Sequence, residues 1–389
     1  MPFQHIAAEL RVYSGPDSLA SLARELRRAD CRRAVVISGK SAAGSEGMQR
    51  LRETLGPALA SEFYGVHPNS PVPAVEAAAQ ALAASSADSV IAVGGGSATV
   101  TARAATILLA EQQPVRALCT KRLPDGSFES PRLGAPKLPQ FGVLTTPSTA
   151  FVKAGSAVLD PETGERLALF DPKTRARALF LDPGFLSSAP DTLVKTAGLN
   201  TLSTAIEALE SPRCDPISEA MLRHALRLTV AHLNRLSAQD TDAREQLATA
   251  ALLCGRGTEQ AGGGLASVLA HAIGHRTHVA NGLVNAVVLP HTIRFNASAT
   301  AGAAARIAES LLREPSGGAW VQATPVFAAE CLESLFAGLD LPRRLRDIGV
   351  AQADLAPIAD AAMADWFIGR GPRRVKTRSE LLTLLEGAW

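Results

Sequence analysis

The pattern of apolar and polar positions changes character near the middle of the chain. In the first half, short β-branched runs alternate with amphipathic stretches: "RAVVIS" (33–38) and "ASEFYGV" read as strands, "GSEGMQRLRETLG" between them as a helix. "PVPAVEAAAQALAASSA" then reads as a helix opened by proline, and "DSVIAVGGGS" as a strand running into glycines, with a helix from about Ala98 to Glu111. "FGVLTTPST" adds a strand, "LDPETGERLALF" a hairpin, and "ARALFLDP" (176–183) a last strand. Strand and helix alternating through short connections predict a parallel sheet with helices on both faces. Beyond Pro183 the period changes. "SEAMLRHALRLTVAHLNRL", "AREQLATAALLCGRG", "AGAAARIAESLL", "VFAAECLESLFAGL" and "SELLTLLEGAW" all space apolar residues three and four apart, which predicts helices. The expected fold is therefore α/β followed by all-α, with an α/β domain over residues 1–182 and a helical domain over 183–389.

Composition supports a globular chain and excludes several classes. At 389 residues it is long enough for two domains, and 47% hydrophobic with 20% charged residues is the balance of a chain with a large core. The formal net charge is only +2, and basic clusters such as "RELRR" and "GPRRVKTR" are short, so no stripe of positive charge marks a nucleic-acid partner. Five scattered cysteines without CxxC spacing argue against disulfides and zinc ribbons. No apolar run reaches membrane-spanning length, and "MPFQHIAAELRVYSG" lacks a signal-peptide pattern. A cytoplasmic protein with no membrane partner is the expectation.

Two segments carry phosphate-binding chemistry. "VIAVGGGSATVTARAA" places Gly94, Gly95, Gly96 and Ser97 where a strand meets a helix amino terminus, where bare backbone and free amides favour an anion. "LTTPST" adds the hydroxyls of Thr145, Thr146, Ser148 and Thr149 after another strand. Each alone also reads as an ordinary turn. Together they suggest a dinucleotide across the carboxyl edge of a parallel sheet. In "TAGLNTLSTAIEAL", Asn200 and Thr204 lie four apart on one helix face, a metal-ligand spacing filled by residues that bind transition metals poorly.

"GGGSxxxxA", "TTxxxT", "GLNxxxxAIEAL" and "GLxxxxAHxxG…NGLVNAVVLPHTIRFN", in this order, resemble the iron-containing alcohol dehydrogenase superfamily, whose fold is that of dehydroquinate synthase. Within it, "FDPKTRARALFLDPGFL" and the tail "LPRRLRDIGV…GRGPRRVKTRSELLTLLEGAW" are similar to maleylacetate reductases. The resemblance implies a Rossmann-like domain and a helical domain with NAD(P)H and the active site in the cleft between them, and commonly a homodimer. It implies Gly95, Gly96 and Ser97 at the pyrophosphate, Thr145, Thr146 and Thr149 on the adenosine side, and Arg166 near a ribose. Ser38 and Lys40 at the end of "RAVVISGK", and Asn69 in "HPNSP", complete the expected cofactor set. Position 39 is glycine where a carboxylate would bond the ribose 2′-hydroxyl, and Lys40 follows, so NADP is allowed. Two residues depart from the pattern: Val100 and Arg103 stand where the family has Asp and Lys.

Metal-dependent relatives hold Fe(II) or zinc with one Asp and three His. Carried onto this sequence, those positions are Asn200, Thr204, Ser267 and Asn281. None supplies the anion or imidazole that such a cation needs, so no metal is expected. His271 matches a family histidine beside the nicotinamide, which makes it the expected proton donor or orienting group. His271, His275 and His278 also permit a displaced metal site, against which Gly274 is expected to end the helix first. Lys153 could add charge for an acidic substrate or simply face solvent.

The favoured function is a metal-independent NAD(P)H-dependent reductase, resembling maleylacetate reductase, that transfers a hydride to an electron-poor C=C or C=O of a small carboxylate-bearing molecule. Its catalytic set would be His271, Asn200, Thr204, Ser267 and Asn281. The alternatives are a non-redox lyase or isomerase and a catalytically silent member of the same fold.

Overall fold

The computed structural model describes residues 2–123, 127–237, 239–312, 323–365 and 367–389. The chain forms two compact units, residues 8–190 and residues 191–389 together with 1–7. The amino-terminal segment goes with the second unit, where His5 Nδ1 lies 3.1 Å from Asp215 Oδ2.

The first unit contains strands β1 (Arg11–Ser14), β2 (Ala34–Ser38), β3 (Leu59–Phe63), β4 (Ser89–Gly94), β5 (Lys121–Arg122), β6 (Phe128–Glu129), β7 (Gln140–Leu144), β8 (Gly155–Leu159), β9 (Arg166–Phe170) and β10 (Ala176–Leu181). Its helices are α1 (Ser18–Arg28), α2 (Glu46–Leu55), α3 (Val72–Ala84), α4 (Gly96–Glu111) and the single turns α5 (Val115–Leu118) and α6 (Pro183–Leu186). Six strands form one parallel sheet in the order β1-β10-β7-β4-β2-β3, while β8 and β9 make the expected hairpin. Strands β2 and β7 are buried at every position, as a sheet covered on both faces requires. Leu19, Leu22 and Leu26 of α1 and Met48, Leu51 and Leu55 of α2 close one face over Val36, Ile91 and Phe141.

Strand β1 was not legible in the sequence. It has four residues with alternating half-burial, too short for a period to show. Pairing with β10 supplies what propensity does not: Tyr13 lies opposite Phe180 in register and stacks on it, ring centroids 5.4 Å apart.

The second unit is all helical among the described residues: α7 (Asp191–Glu210), α8 (Pro216–Leu233), α9 (Thr241–Ala261), α10 (Leu265–Thr277), α11 (Asn281–Asn296), α12 (Ala301–Leu311), α13 (Pro325–Gly338), α14 (Leu355–Ala364) and α15 (Arg378–Ala388). None is long and apolar enough to cross a membrane. Helices α7 and α11 are central. Residues 201–210 of α7 are all buried, as are 284–290 of α11, so neither shows the one-sided stripe of a surface helix.

Their close approach depends on a missing side chain. A Cβ built on Gly282 would lie 1.8 Å from the Thr196 carbonyl oxygen, and the obstacle is backbone, which cannot swing aside. Gly282→Ala is expected to destabilise the second unit by about 3 kcal/mol or more, at or above the usual range for overpacking, as read from the denaturant midpoint. An unchanged midpoint would show that α7 and α11 can separate at little cost.

Candidate functional site

The glycine-rich turn of the first unit is built by two neighbouring strands. β4 pairs with β7 so that Gly94 lies opposite Leu144, which brings the segments following each strand together at their carboxyl ends. The Thr145 amide donates to the Gly94 carbonyl at 2.9 Å. Gly94 has φ +144°, a conformation side chains rarely adopt, and a Cβ on Gly95 would lie 2.6 Å from Thr146 Oγ1. These glycines therefore let the threonine turn close against the amino terminus of α4, whose Gly95 cap leaves the first turn without a side-chain partner. Bare amides at a helix start suit an anion.

The strand order places this cradle where the fold favours ligands. From β2 the chain runs outward to β3, whereas from β4 it runs the other way to β7, so the sheet reverses direction between β2 and β4. Open α/β sheets bind ligands outside the carboxyl ends at such a reversal. Ser38 ends β2 there, fully buried, its hydroxyl donating to the Val93 carbonyl at 2.8 Å. Lys40, two residues on, is exposed.

Asn69 and Arg166, 97 positions apart, meet: Arg166 Nη2 donates to Asn69 Oδ1 at 2.8 Å. Asn69 and Ser70 both hold positive φ, and the Ser70 hydroxyl donates to the Ser97 carbonyl at 3.1 Å, tying this turn to the start of α4. Thr149 opens a 3₁₀ turn over 149–152 that the Ser148 side chain caps. Among the described residues, the Thr145 and Thr149 side chains form no hydrogen bond to the rest of the set.

Arg103 takes on a role that its sequence context does not announce. It is 1% exposed, and its guanidinium donates to the carbonyls of Ala150 (2.6 Å) and Lys153 and to Ser156 Oγ (3.2 Å). No carboxylate pairs with it among the described residues, and burial together with the charge of Arg175 lowers its pKa to about 9. Arg103 thus clamps the turn that follows the threonines from beneath. Lys153 is half-buried, and its backbone is part of that clamp.

In the second unit, α7, α10 and α11 gather the remaining candidates. Asn200 Oδ1 accepts from Asn285 Nδ2 at 3.1 Å, joining α7 to α11. The Thr204 hydroxyl donates to the Asn200 carbonyl in its own helix at 2.7 Å. The Ser267 amide and hydroxyl both donate to Glu207, at 2.9 and 2.5 Å, joining α10 to α7. Asn281 starts α11 beside Gly274, where a Cβ would lie 2.8 Å from Asn281 Oδ1. His271, one turn beyond Ser267, lies 3.2 Å through Nδ1 from Asp365 Oδ2 and is tilted against Phe367 with ring centroids 6.3 Å apart.

Glu207, Asn285 and Asp365 are thus the partners of this set that sequence reasoning missed. Glu207 had a faint signal, a carboxylate inside the apolar run "AIEAL". Asp365 had none, being 94 residues from His271. Burial raises the Glu207 pKa, opposed by its hydrogen bonds from Ser267 and the Ala266 backbone.

Helix α10 does not stop at Gly274 as expected. It continues to Thr277, and His278 ends it at φ +58°, its amide donating to the Gly274 carbonyl at 3.0 Å. Gly274 serves close packing instead: its bare Cα admits the Val279 carbonyl and Asn281. His275 and His278 are exposed, and no group of three or more His, Cys, Asp or Glu able to hold a metal converges among the described residues. The four positions to which the resemblance carries a metal offer only neutral hydroxyls and amides, and three of them are engaged: Asn200 with Asn285, Thr204 with the Asn200 carbonyl and Ser267 with Glu207. Such donors do not fit a first-row divalent cation.

This pairing of a parallel-sheet unit carrying a glycine cradle with a helical unit carrying buried polar residues defines a dehydroquinate synthase-like architecture. A family model described as iron-containing alcohol dehydrogenase matches residues 10–183, and one described as the carboxyl-terminal domain of that family matches residues 194–389. The chain belongs to the iron-containing alcohol dehydrogenase family. It is 27% identical to lactaldehyde reductase of Escherichia coli (strain K12), covering 96% of this chain and 97% of the relative. It is 28% identical to maleylacetate reductase of Rhizobium sp. (strain MTP-10005), covering 100% and 99%. The crystal structure of maleylacetate reductase from Agrobacterium tumefaciens superposes with a TM-score of 0.80 at 26% identity, covering 100% and 98%.

One turn past Glu207, burial raises the Glu210 pKa to about 8; Asn296 donates to it at 2.9 Å and opposes the shift. The native state therefore holds a proton that the unfolded chain releases above an ordinary carboxylate pKa, so stability should fall as pH rises from about 4.5 to about 8. Glu210→Gln is expected to remove about 1.4 kcal/mol per pH unit from that slope, measured by denaturant titrations across the window. An unaltered slope would mean the carboxyl titrates normally.

Proposed function

We propose that the protein is a metal-independent NAD(P)H-dependent reductase acting on an electron-poor C=C or C=O of a small carboxylate-bearing substrate. The observation that carries this reading is the hydrogen bonding at Asn200, Thr204 and Ser267, which commits the expected metal positions to protein partners. An enzyme without a cation must stabilise developing negative charge with hydrogen-bond donors and a proton source. The second unit carries both.

Gly95, Gly96 and Ser97, with Thr145, Thr146 and Thr149, would hold the nucleotide pyrophosphate and adenosine side, while Asn69 and Arg166 would serve a ribose. Reduced nicotinamide, when bound, supplies the hydride. The absence of a carboxylate at Gly39 and the exposed Lys40 accommodate a 2′-phosphate, so NADPH is accepted as well as NADH.

His271 holds the transferable proton. Donating its Nδ1 hydrogen to Asp365 fixes the ring and leaves Nε2 for the substrate, the arrangement that general acids use. Asn200, Thr204 and Asn281 orient the substrate's polar end, and Ser267 acts indirectly by anchoring Glu207. The similarity to maleylacetate reductases makes maleylacetate the first substrate to test.

Titration with NADH and NADPH, followed by nicotinamide fluorescence, is expected to show saturable binding of at least one; failure of both would leave a non-redox or silent protein. After dialysis against a chelator, turnover of maleylacetate should persist with metal far below stoichiometric. Tightly held iron or zinc at one equivalent would defeat the reading. His271→Ala should lower kcat by about 10²-fold or more, in line with loss of a general acid, with cofactor affinity unchanged.

A further inference from the structure

Beyond His271 the second unit carries positive charge without a partner. Arg370 has its guanidinium 5.2 Å over the Phe367 ring, the same ring that packs against His271. Arg213, in the turn after α7, donates to the Ala261 carbonyl at 3.3 Å, and a Cβ on Gly262 would lie 2.7 Å from its Nη2. Gly262 and Gly263 lead directly into α10, and Ser267 Oγ lies 3.7 Å from a Cβ built on Gly263. Arg213 is thus tied to the strap that feeds Ser267 and His271. Pro212 and Pro372, each within two residues of one of these arginines, line a common cavity of about 240 Å³, so the two turns are neighbours. Both arginines are exposed residues, and the charge of Arg213 reaches Arg370, whose pKa is lowered by partial desolvation and then by that charge. Neither guanidinium has a carboxylate partner among the described residues, although the unit contains many Arg–carboxylate pairs, such as Arg294–Glu333 and Arg306–Glu219.

An anion that two neighbouring arginines can both bond relieves the repulsion between them, and a planar carboxylate matches the guanidinium fork. We propose that Arg213 and Arg370 bind the carboxylate of the substrate beside His271 and set the specificity of the enzyme for acidic molecules. This rests on the reductase reading for the word substrate, while the anion site stands on the arginines alone. The Phe367 ring ties the two functions together by bearing Arg370 on its face and His271 against its side. A phosphate of the nucleotide shares the anionic chemistry, and the experiment separates the two sources.

The probe is maleate, with dimethyl maleate as its uncharged counterpart, titrated calorimetrically into the full chain without cofactor. Maleate is expected to bind and the diester not. Arg370→Met and Arg213→Met should each weaken maleate at least tenfold, Arg370→Lys should recover part of that loss, and the affinities for NADH and NADPH should stay within twofold. In turnover, the methionine variants should raise KM for maleylacetate far more than they lower kcat. Maleate affinity that is indifferent to both substitutions, or wild-type protein that binds no maleate, would overturn the proposal. So would a loss confined to NADPH, which would assign the arginines to the nucleotide phosphate. If maleate binds through the arginines while neither nucleotide binds, the reductase reading fails and the anion site survives; the reverse result removes the anion site alone.

Discussion

A buried carboxylate organises the helical unit. Glu207 is almost wholly removed from water, and an unpaired carboxylate there would cost several kcal/mol. Its two oxygens are met by the amide and hydroxyl of one residue, Ser267, in the first turn of α10. A helix amino terminus favours negative charge, so the carboxylate and the helix stabilise each other. This fixes where α10 starts relative to α7, and hence the direction in which His271 projects one turn later. Gly264 belongs to the same constraint: a Cβ there would press within 3.0 Å of Glu207 Oε1.

The first unit solves a comparable problem with the opposite charge. The turn that follows its threonines is irregular backbone with the Ala150 and Lys153 carbonyls facing inward, and inward carbonyls need donors. Arg103 supplies several from one side chain. The two units therefore place their candidate ligands by a single buried ionic group each, an acid under α10 and a base under the turn after β7. Both groups carry shifted proton affinities because the fold puts positioning ahead of solvation.

Much of this was legible in the sequence, for identifiable reasons. Strands β2, β4 and β7 are nearly continuous apolar runs because both faces of the sheet are covered, and helices such as α8 and α9 keep polar faces that show their period. The glycine and threonine turns announced themselves by composition. What escaped was whatever depends on long-range partners. β1 exists through its register with β10, and the bond between Asn69 and Arg166 requires the hairpin to fold back onto the turn before α3. Asp365 and Asn285 gain meaning only when α10 and α11 are in place. Gly274 misled because glycine both ends helices and admits close neighbours, and local sequence does not distinguish the two uses.

The sealed position of Arg103 reaches further than the hydrogen bonds it makes. Dissolved salt weakens a surface lysine by crowding counterions around it, but it cannot enter the protein to do the same to a guanidinium walled in by backbone. The grip of that side chain on the Ala150 and Lys153 carbonyls, and with it the shape of the turn, is consequently a built-in property of the scaffold that ionic strength leaves largely untouched.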